Sequence, residues 1–230
     1  MYLKNKESNH WMSISDMMSA LMIIFMFISI AFMIKVQQQK QEMNQIIVEY
    51  KNFKSEIYQA LYEEFREDFI AWDAELDEKT LSIRFQEPDI LFAPGSSEIN
   101  ERFKNILDDF FPRYVKMLSK DKYRNVIQEI RIEGHTSSEW NDEIGTLNAY
   151  FKNMKLSQDR TRTVLEYSIL LPSVIENSEW LIGKITANGL SFSHRVISDG
   201  KEDFRKSRRV EFRIRTNADE KMSQLEAKSK

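Results

Sequence analysis

Residues 17–34 read MMSALMIIFMFISIAFMI, eighteen consecutive positions without a charge. An α-helix rises about 1.5 Å per residue, so a run of about 18–20 apolar residues matches the roughly 30 Å hydrocarbon core of a bilayer. Extended back to Met12, the stretch is 23 residues with a single acid, Asp16. Eight of the 11 methionines lie before residue 45, so apolar content is concentrated at this end of the chain. A cleaved signal peptide is the alternative, but it has a shorter apolar core and a small-residue cleavage site. The run ends instead in Ile34-Lys35-Val36-Gln37, with no A-x-A pattern. The sequence therefore predicts an N-terminal segment over residues 1–11 and a retained transmembrane helix over residues 12–35.

The rest of the chain is hydrophilic. Over all 230 residues, 33 Lys and Arg stand against 36 Asp and Glu, a net charge of -3. Nucleic-acid binders carry a basic excess, so nucleic acid is not an expected partner. The absence of cysteine excludes disulfides, thiol nucleophiles and thiolate metal sites. His10, His135 and His194 show no ligand spacing, and six glycines form no phosphate loop. No nucleophile–base pair or pair of catalytic carboxylates is visible. The expectation is a non-enzyme without a catalytic centre, bound metal or cofactor.

Asp16 is the exception within the apolar end. An ionisable group in a membrane segment is costly and marks function. The competing reading is a helix cap following Ser15. Burial of a carboxyl among partner helices disfavours its charged form, which suits a group that takes up and releases a proton. One helix cannot make a pathway alone, so function through Asp16 requires other membrane subunits. Lys4 and Lys6 before the span balance Lys35 and Lys40 after it, so the positive-inside count leaves orientation open. The short leader suggests an N-terminus in the cytoplasm and an exported C-terminal domain.

Residues 36–77 contain no Gly or Pro and carry apolar residues at spacings of three and four. This predicts an amphipathic helical stalk. Met43, Ile46, Tyr50, Phe53 and Ile57 are heptad-like and suit a parallel coiled coil with a second copy; packing on the chain's own domain is the alternative. Beyond it, strands are predicted at residues 81–85, 127–132, 184–187 and 209–215, with helices at 100–118 and 156–170. Glu87-Pro88 and Ala93-Pro94-Gly95-Ser96 punctuate a loop. The fold class is α+β, a βαβαββ domain with helices on one sheet. A charged tail over residues 217–230 is expected to be disordered.

Four pieces of residues 78–216 resemble the OmpA-like, peptidoglycan-binding domain. They are Ile90-Leu91-Phe92 with Gly95-Ser96; Glu133-Gly134-His135-Thr136; Asn153-Met154-Lys155-Leu156-Ser157-Gln158-Asp159-Arg160; and Ser207-Arg208-Arg209-Val210-Glu211. In that family the Asp after GHT and the Arg of LSxxR hold the amino-acid part of the wall peptide. Arg160 matches that Arg, whose planar fork suits a carboxylate. Ser137 stands where the family has Asp. The resemblance makes Thr136, Ser137, Asn153 and Arg160 the candidate peptidoglycan contacts. In it, His135 and Thr136 are expected to hold the loop through hydrogen bonds, Asn153 to fix loop geometry and Leu156 to lie in the core.

The stretch Trp11-Met12-Ser13-Ile14-Ser15-Asp16-Met17-Met18-Ser19-Ala20 resembles the B subunit of flagellar stators, in which the matching Asp carries the ion. The resemblance implies a rotary inner-membrane motor in which two B subunits sit within five multi-span subunits of the MotA or ZorA kind. The short leader, the uninterrupted helix after the membrane and Ser137 depart from the flagellar type. That build is similar to the ZorB subunits of Zorya anti-phage defence systems, which implies a motor that senses envelope attack and signals to cytoplasmic effectors. A flagellar-type stator and a passive wall tether are the alternatives. The transported ion is expected to be H⁺ rather than Na⁺, since the uncharged run over residues 17–34 offers only Ser19 and Ser29 as further side-chain oxygens.

Overall fold

The computed structural model describes residues 4–86, 91–93, 95–141 and 143–217. The punctuation at residues 87–90, Pro94 and the tail beyond residue 217 lie outside these, as do the side chains of His10 and Trp11. The chain divides into two compact units, Met1–Glu49 and Tyr50–Lys230.

Helix α1 spans Lys4–Phe65. Within the first unit it supplies a helix long and apolar enough to cross a membrane. Every residue from Ile14 to Gln45 is exposed, including the large apolar side chains between Met17 and Val36. An apolar surface of this extent is unfavourable in water and matched to lipid. Asp16 lies inside the helix rather than at its start, which removes the capping reading.

The last turns of α1 belong to the second unit and enter its core. Ile57, Leu61 and Phe65 are fully buried there, and Phe53 meets Tyr123 edge-on at 5.9 Å between ring centroids. Phe53 and Ile57, expected on a seam shared with a second copy, are thus covered by the chain's own domain. The expected stalk also ends early. A short turn α2, Phe69–Trp72, leads to strand β1, Ala74–Asp77. Asp73 supports the reversal with a left-handed φ of 48°.

The remaining core elements are β2 (Ser82–Gln86), α3 (Glu101–Leu118), the short α4 (Asp121–Arg124), β3 (Ile127–His135), α5 (Leu147–Ile169), α6 (Ser178–Ile182), β6 (Ile185–Gly189) and β9 (Arg209–Thr216). Two-residue strands β4 (Glu139–Trp140) with β5 (Glu143–Ile144), and β7 (Ile197–Ser198) with β8 (Lys201–Glu202), form side hairpins; the turn α7, Phe204–Ser207, precedes β9. All four expected strands are present, and β1 adds a fifth in the order β1-β2-β9-β3-β6. β3 and β6 run parallel and the other neighbours antiparallel.

Alternation sorts the sheet into two faces. Ile83, Phe85, Ile130, Ile132, Phe212 and Ile214 point into the helices. Phe110 of α3 lies 5.1 Å from Phe85, 5.0 Å from Phe212 and 5.2 Å from Phe65 between centroids, so one ring joins helix, sheet and the end of α1. The other face carries Arg84, Glu133, Glu211 and Arg213, linked by ion pairs.

Helix α5 begins at Leu147 rather than at Leu156. Thr146 caps it, its Oγ1 accepting from the Ala149 N–H at 3.0 Å. The first turns hid from a periodicity argument because their pattern is inverted. Leu147 and Phe151 are exposed, while the small Ala149 and polar Asn153 are buried.

Candidate functional site

Two places carry the expected chemistry, one in each unit. In the first, Asp16 stands at the head of the uncharged run and is exposed in the isolated chain. One turn on, the Ser19 hydroxyl donates to the Ser15 carbonyl at 2.9 Å. Its proton is committed to the backbone, leaving a hydroxyl oxygen three residues from the carboxyl.

In the second unit, the four residues expected from the motifs converge on one cleft of about 310 Å³. Thr136 and Ser137 come from the loop after β3, and Asn153 and Arg160 from α5. Glycine makes the approach possible. A Cβ at Gly134 would fall 2.7 Å from Thr161 Cγ2 and 2.9 Å from the Ser157 carbonyl, so only glycine lets β3 lie this close to α5. Gly189 on β6 faces the Gln158 backbone still more closely.

Arg160 is mostly buried. Its Nε donates to the Ser96 carbonyl at 2.8 Å and one Nη to the Ala93 carbonyl at 3.4 Å. The guanidinium lies 4.8 Å from the centre of the Phe92 ring. Phe92 is itself held by a bridge to Ile99. Ala93, Ser96 and Phe92 thus fix the plane of a cation at the cleft wall.

Asn153 lies on α5. Its Nδ2 donates to the Glu139 carbonyl at 3.0 Å and so pins the β4–β5 hairpin. Leu156 is half-buried and lines the cleft, not the core. Of the hydrogen bonds expected to hold the loop at His135 and Thr136, none comes from a side chain among the described residues. Both His135 ring nitrogens and Thr136 Oγ1 are buried without a hydrogen-bond partner among the described residues. The Thr136 backbone N–H does hold the loop, donating to the Ser191 carbonyl at 2.9 Å. Ser138 adds two bonds to Glu202, at 2.9 Å from its N–H and 2.6 Å from its hydroxyl.

Three further side chains, Arg208, Glu139 and Trp140, also line the cleft. Arg208 pairs with Glu139 at 3.4 Å. Ser137 Oγ lies 3.5 Å from the same carboxylate oxygen, so Glu139 is the acid beside the serine that replaces the family Asp. Trp140 lies next to it on the hairpin. Arg208 was visible in the Ser-Arg-Arg motif, whereas no spacing pointed to Trp140.

On β3 and β9, Glu133, His135 and Glu211 gather with ligand atoms within 4.8 Å of one another. The sequence separation of Glu211 concealed this grouping. Arg209 contacts Glu211 at 2.6 Å and Arg84 does so at 3.2 Å, while Arg213 and Arg131 approach Glu133 at 3.8 and 3.9 Å. Four guanidiniums surround the two carboxylates, giving the group the character of an internal ion network. Burial, with Arg209 nearby, pushes His135 down to about 3. Burial pushes Glu133 up; for Glu211 burial is outweighed by Arg209 and its neighbours, and the net direction is down.

No family model matches the chain. It is 47% identical to the Zorya protein ZorB of Escherichia coli over 94% of this chain and 92% of that one. Among solved structures, a MotB-like protein from Desulfovibrio vulgaris shares the fold at a TM-score of 0.51 and 23% identity, covering 72% of this chain and 93% of the other. The cell wall anchor of the T6SS from Pseudomonas aeruginosa aligns at 0.46 and 24% identity, over 68% of this chain and 97% of the other.

Proposed function

As this chain belongs to the ZorB family, we propose that it is the B subunit of an ion-driven rotary motor of the bacterial inner membrane that acts in anti-phage defence. It crosses the membrane once, with its N-terminus in the cytoplasm and its C-terminal domain in the periplasm. It works as a pair of copies inside a pentameric ZorA-like partner with several spans. Asp16 carries the ion, H⁺ in preference to Na⁺, and its cycle of uptake and release turns the ring. The C-terminal domain anchors the subunit to peptidoglycan, with Arg160 taking a carboxylate of the wall peptide and Thr136, Ser137 and Asn153 forming the cleft around it. Perturbation of the envelope engages the motor, which signals to cytoplasmic effectors.

The observation that carries this reading is the single ionisable group between Met12 and Ile34, Asp16, at the head of eighteen uncharged residues. A passive tether has no use for a carboxyl there, whereas an ion carrier requires one. Asp16→Asn keeps the shape and removes the titrating group. In cells carrying the rest of the defence system, this variant should lose protection against phage while its membrane level and its association with the partner stay normal. Full protection by Asp16→Asn would leave the tether as the correct reading.

A further inference from the structure

We propose that Trp140 is a stacking platform for a sugar ring, so that the cleft reads the junction of glycan and peptide and not the peptide alone. This rests on the peptidoglycan reading of the cleft. Trp72 and Trp180 belong to the hydrophobic core, but Trp140 stands outside it, half-buried on a two-residue strand. It nevertheless lines the same cleft as Arg160 and Arg208.

The hairpin that carries it is fixed in place. Trp140 pairs with Glu143, and Glu139 with Ile144. The Gly145 N–H donates to the Ser138 carbonyl at 2.9 Å, and Asn153 holds the Glu139 carbonyl. Asn141 turns the tip with a left-handed φ of 52° and also lines the cleft. Lys152 Nζ lies 5.9 Å from the centre of the Trp140 ring, a further restraint on the indole. A large aromatic immobilised at a polar cleft, without a core to fill, has the form of a binding surface.

The chemistry matches a pyranose. Its axial C–H groups make an apolar face that packs on an indole, and its hydroxyls want short polar partners. Asn141 and Ser137 offer these, and Thr136 Oγ1 is a buried hydroxyl still lacking a partner among the described residues. A volume of about 310 Å³ is that of a small organic ligand and more than one carboxylate requires. Arg160 and Arg208 would then hold the peptide end, and Trp140 the sugar next to it.

The test uses the full-length chain in detergent and two soluble probes, titrated calorimetrically. One is the free wall stem peptide; the other is the same peptide on its N-acetylglucosamine–N-acetylmuramic acid disaccharide. The wild type should bind the sugar-bearing probe about three- to tenfold more tightly, the worth of one aromatic stacking contact. Trp140→Ala should abolish that preference, weakening binding of the sugar-bearing probe more than that of the free peptide, and Trp140→Phe should retain part of it. Equal wild-type affinity for the two probes, or equal weakening of both by Trp140→Ala, would overturn the inference while leaving the wall reading intact. Binding of neither probe by the wild type would overturn the wall reading and the inference with it.

Discussion

Arg160 reaches across the cleft wall to donate from Nε to the carbonyl of Ser96 at 2.8 Å. A side chain on α5 thereby orders a loop that precedes α3, and the loop in turn orients the guanidinium. The contact depends on the planar fork and not on charge alone. Arg160→Lys should therefore lose sedimentation with peptidoglycan sacculi almost as completely as Arg160→Ala, by about tenfold or more in affinity. Wild-type binding by the lysine variant would show that a point charge suffices.

Close approach of β3 and α5 predicts intolerance at Gly134. Its added Cβ would meet the Ser157 carbonyl at 2.9 Å, and backbone cannot swing aside as a flexible side chain can. Gly134→Ala should cost about 1–3 kcal/mol, seen as a fall of several degrees in Tm. An unchanged Tm would mean that the helix and sheet can separate without loss.

The extent of the second unit predicts which fragment folds. A fragment of residues 78–216 follows the motif resemblance but omits Ile57, Leu61, Phe65, Trp72 and β1. Those four side chains are in the core, and at about 1.5–3 kcal/mol each their loss rivals the entire stability of an ordinary domain. Residues 50–217 should give a cooperative thermal transition by circular dichroism, and residues 78–216 should not. Equal melting of the two would show that the end of α1 is dispensable.

His135 predicts a pH dependence of stability. Burial holds it at about 3 in the folded state, against an ordinary value of 6.5. The unfolded chain then binds the proton first as pH falls, so this contribution is complete above about pH 6.5 and is lost toward pH 3. Glu211, lowered in the fold, adds to the loss below its ordinary range; Glu133, raised, opposes it. The denaturant midpoint should fall steadily between pH 7 and 5, and His135→Gln should flatten that slope. A midpoint independent of pH in the wild type would contradict the buried neutral imidazole.

How far the sequence was legible follows from where periodicity and burial agree. The four long strands alternate, and α3 places Phe103, Ile106, Phe110 and Phe111 on one buried face, so all were readable. The start of α5 was not, because Leu147 and Phe151 face solvent there. β1 was not, because Ala74–Asp77 is an edge strand of mixed residues, its pattern indistinguishable from the end of a helix. The seam from Phe53 onward was ambiguous in principle, since a heptad stripe fits a second copy or a sheet equally well. At the cleft, the motifs led to Arg160, Asn153, Thr136 and Ser137. Trp140 and Glu139 enter through a two-residue hairpin with no periodic signature.

The central claim, that Asp16 carries the ion, is tested most directly by flux. The chain and its multi-span partner are reconstituted into liposomes with a pH-sensitive dye inside, and an acid pulse is applied at fixed membrane potential. Ion carriage by Asp16 predicts proton entry with the wild type, none above empty liposomes with Asp16→Asn, and no requirement for sodium. Equal proton entry through Asp16→Asn would contradict it.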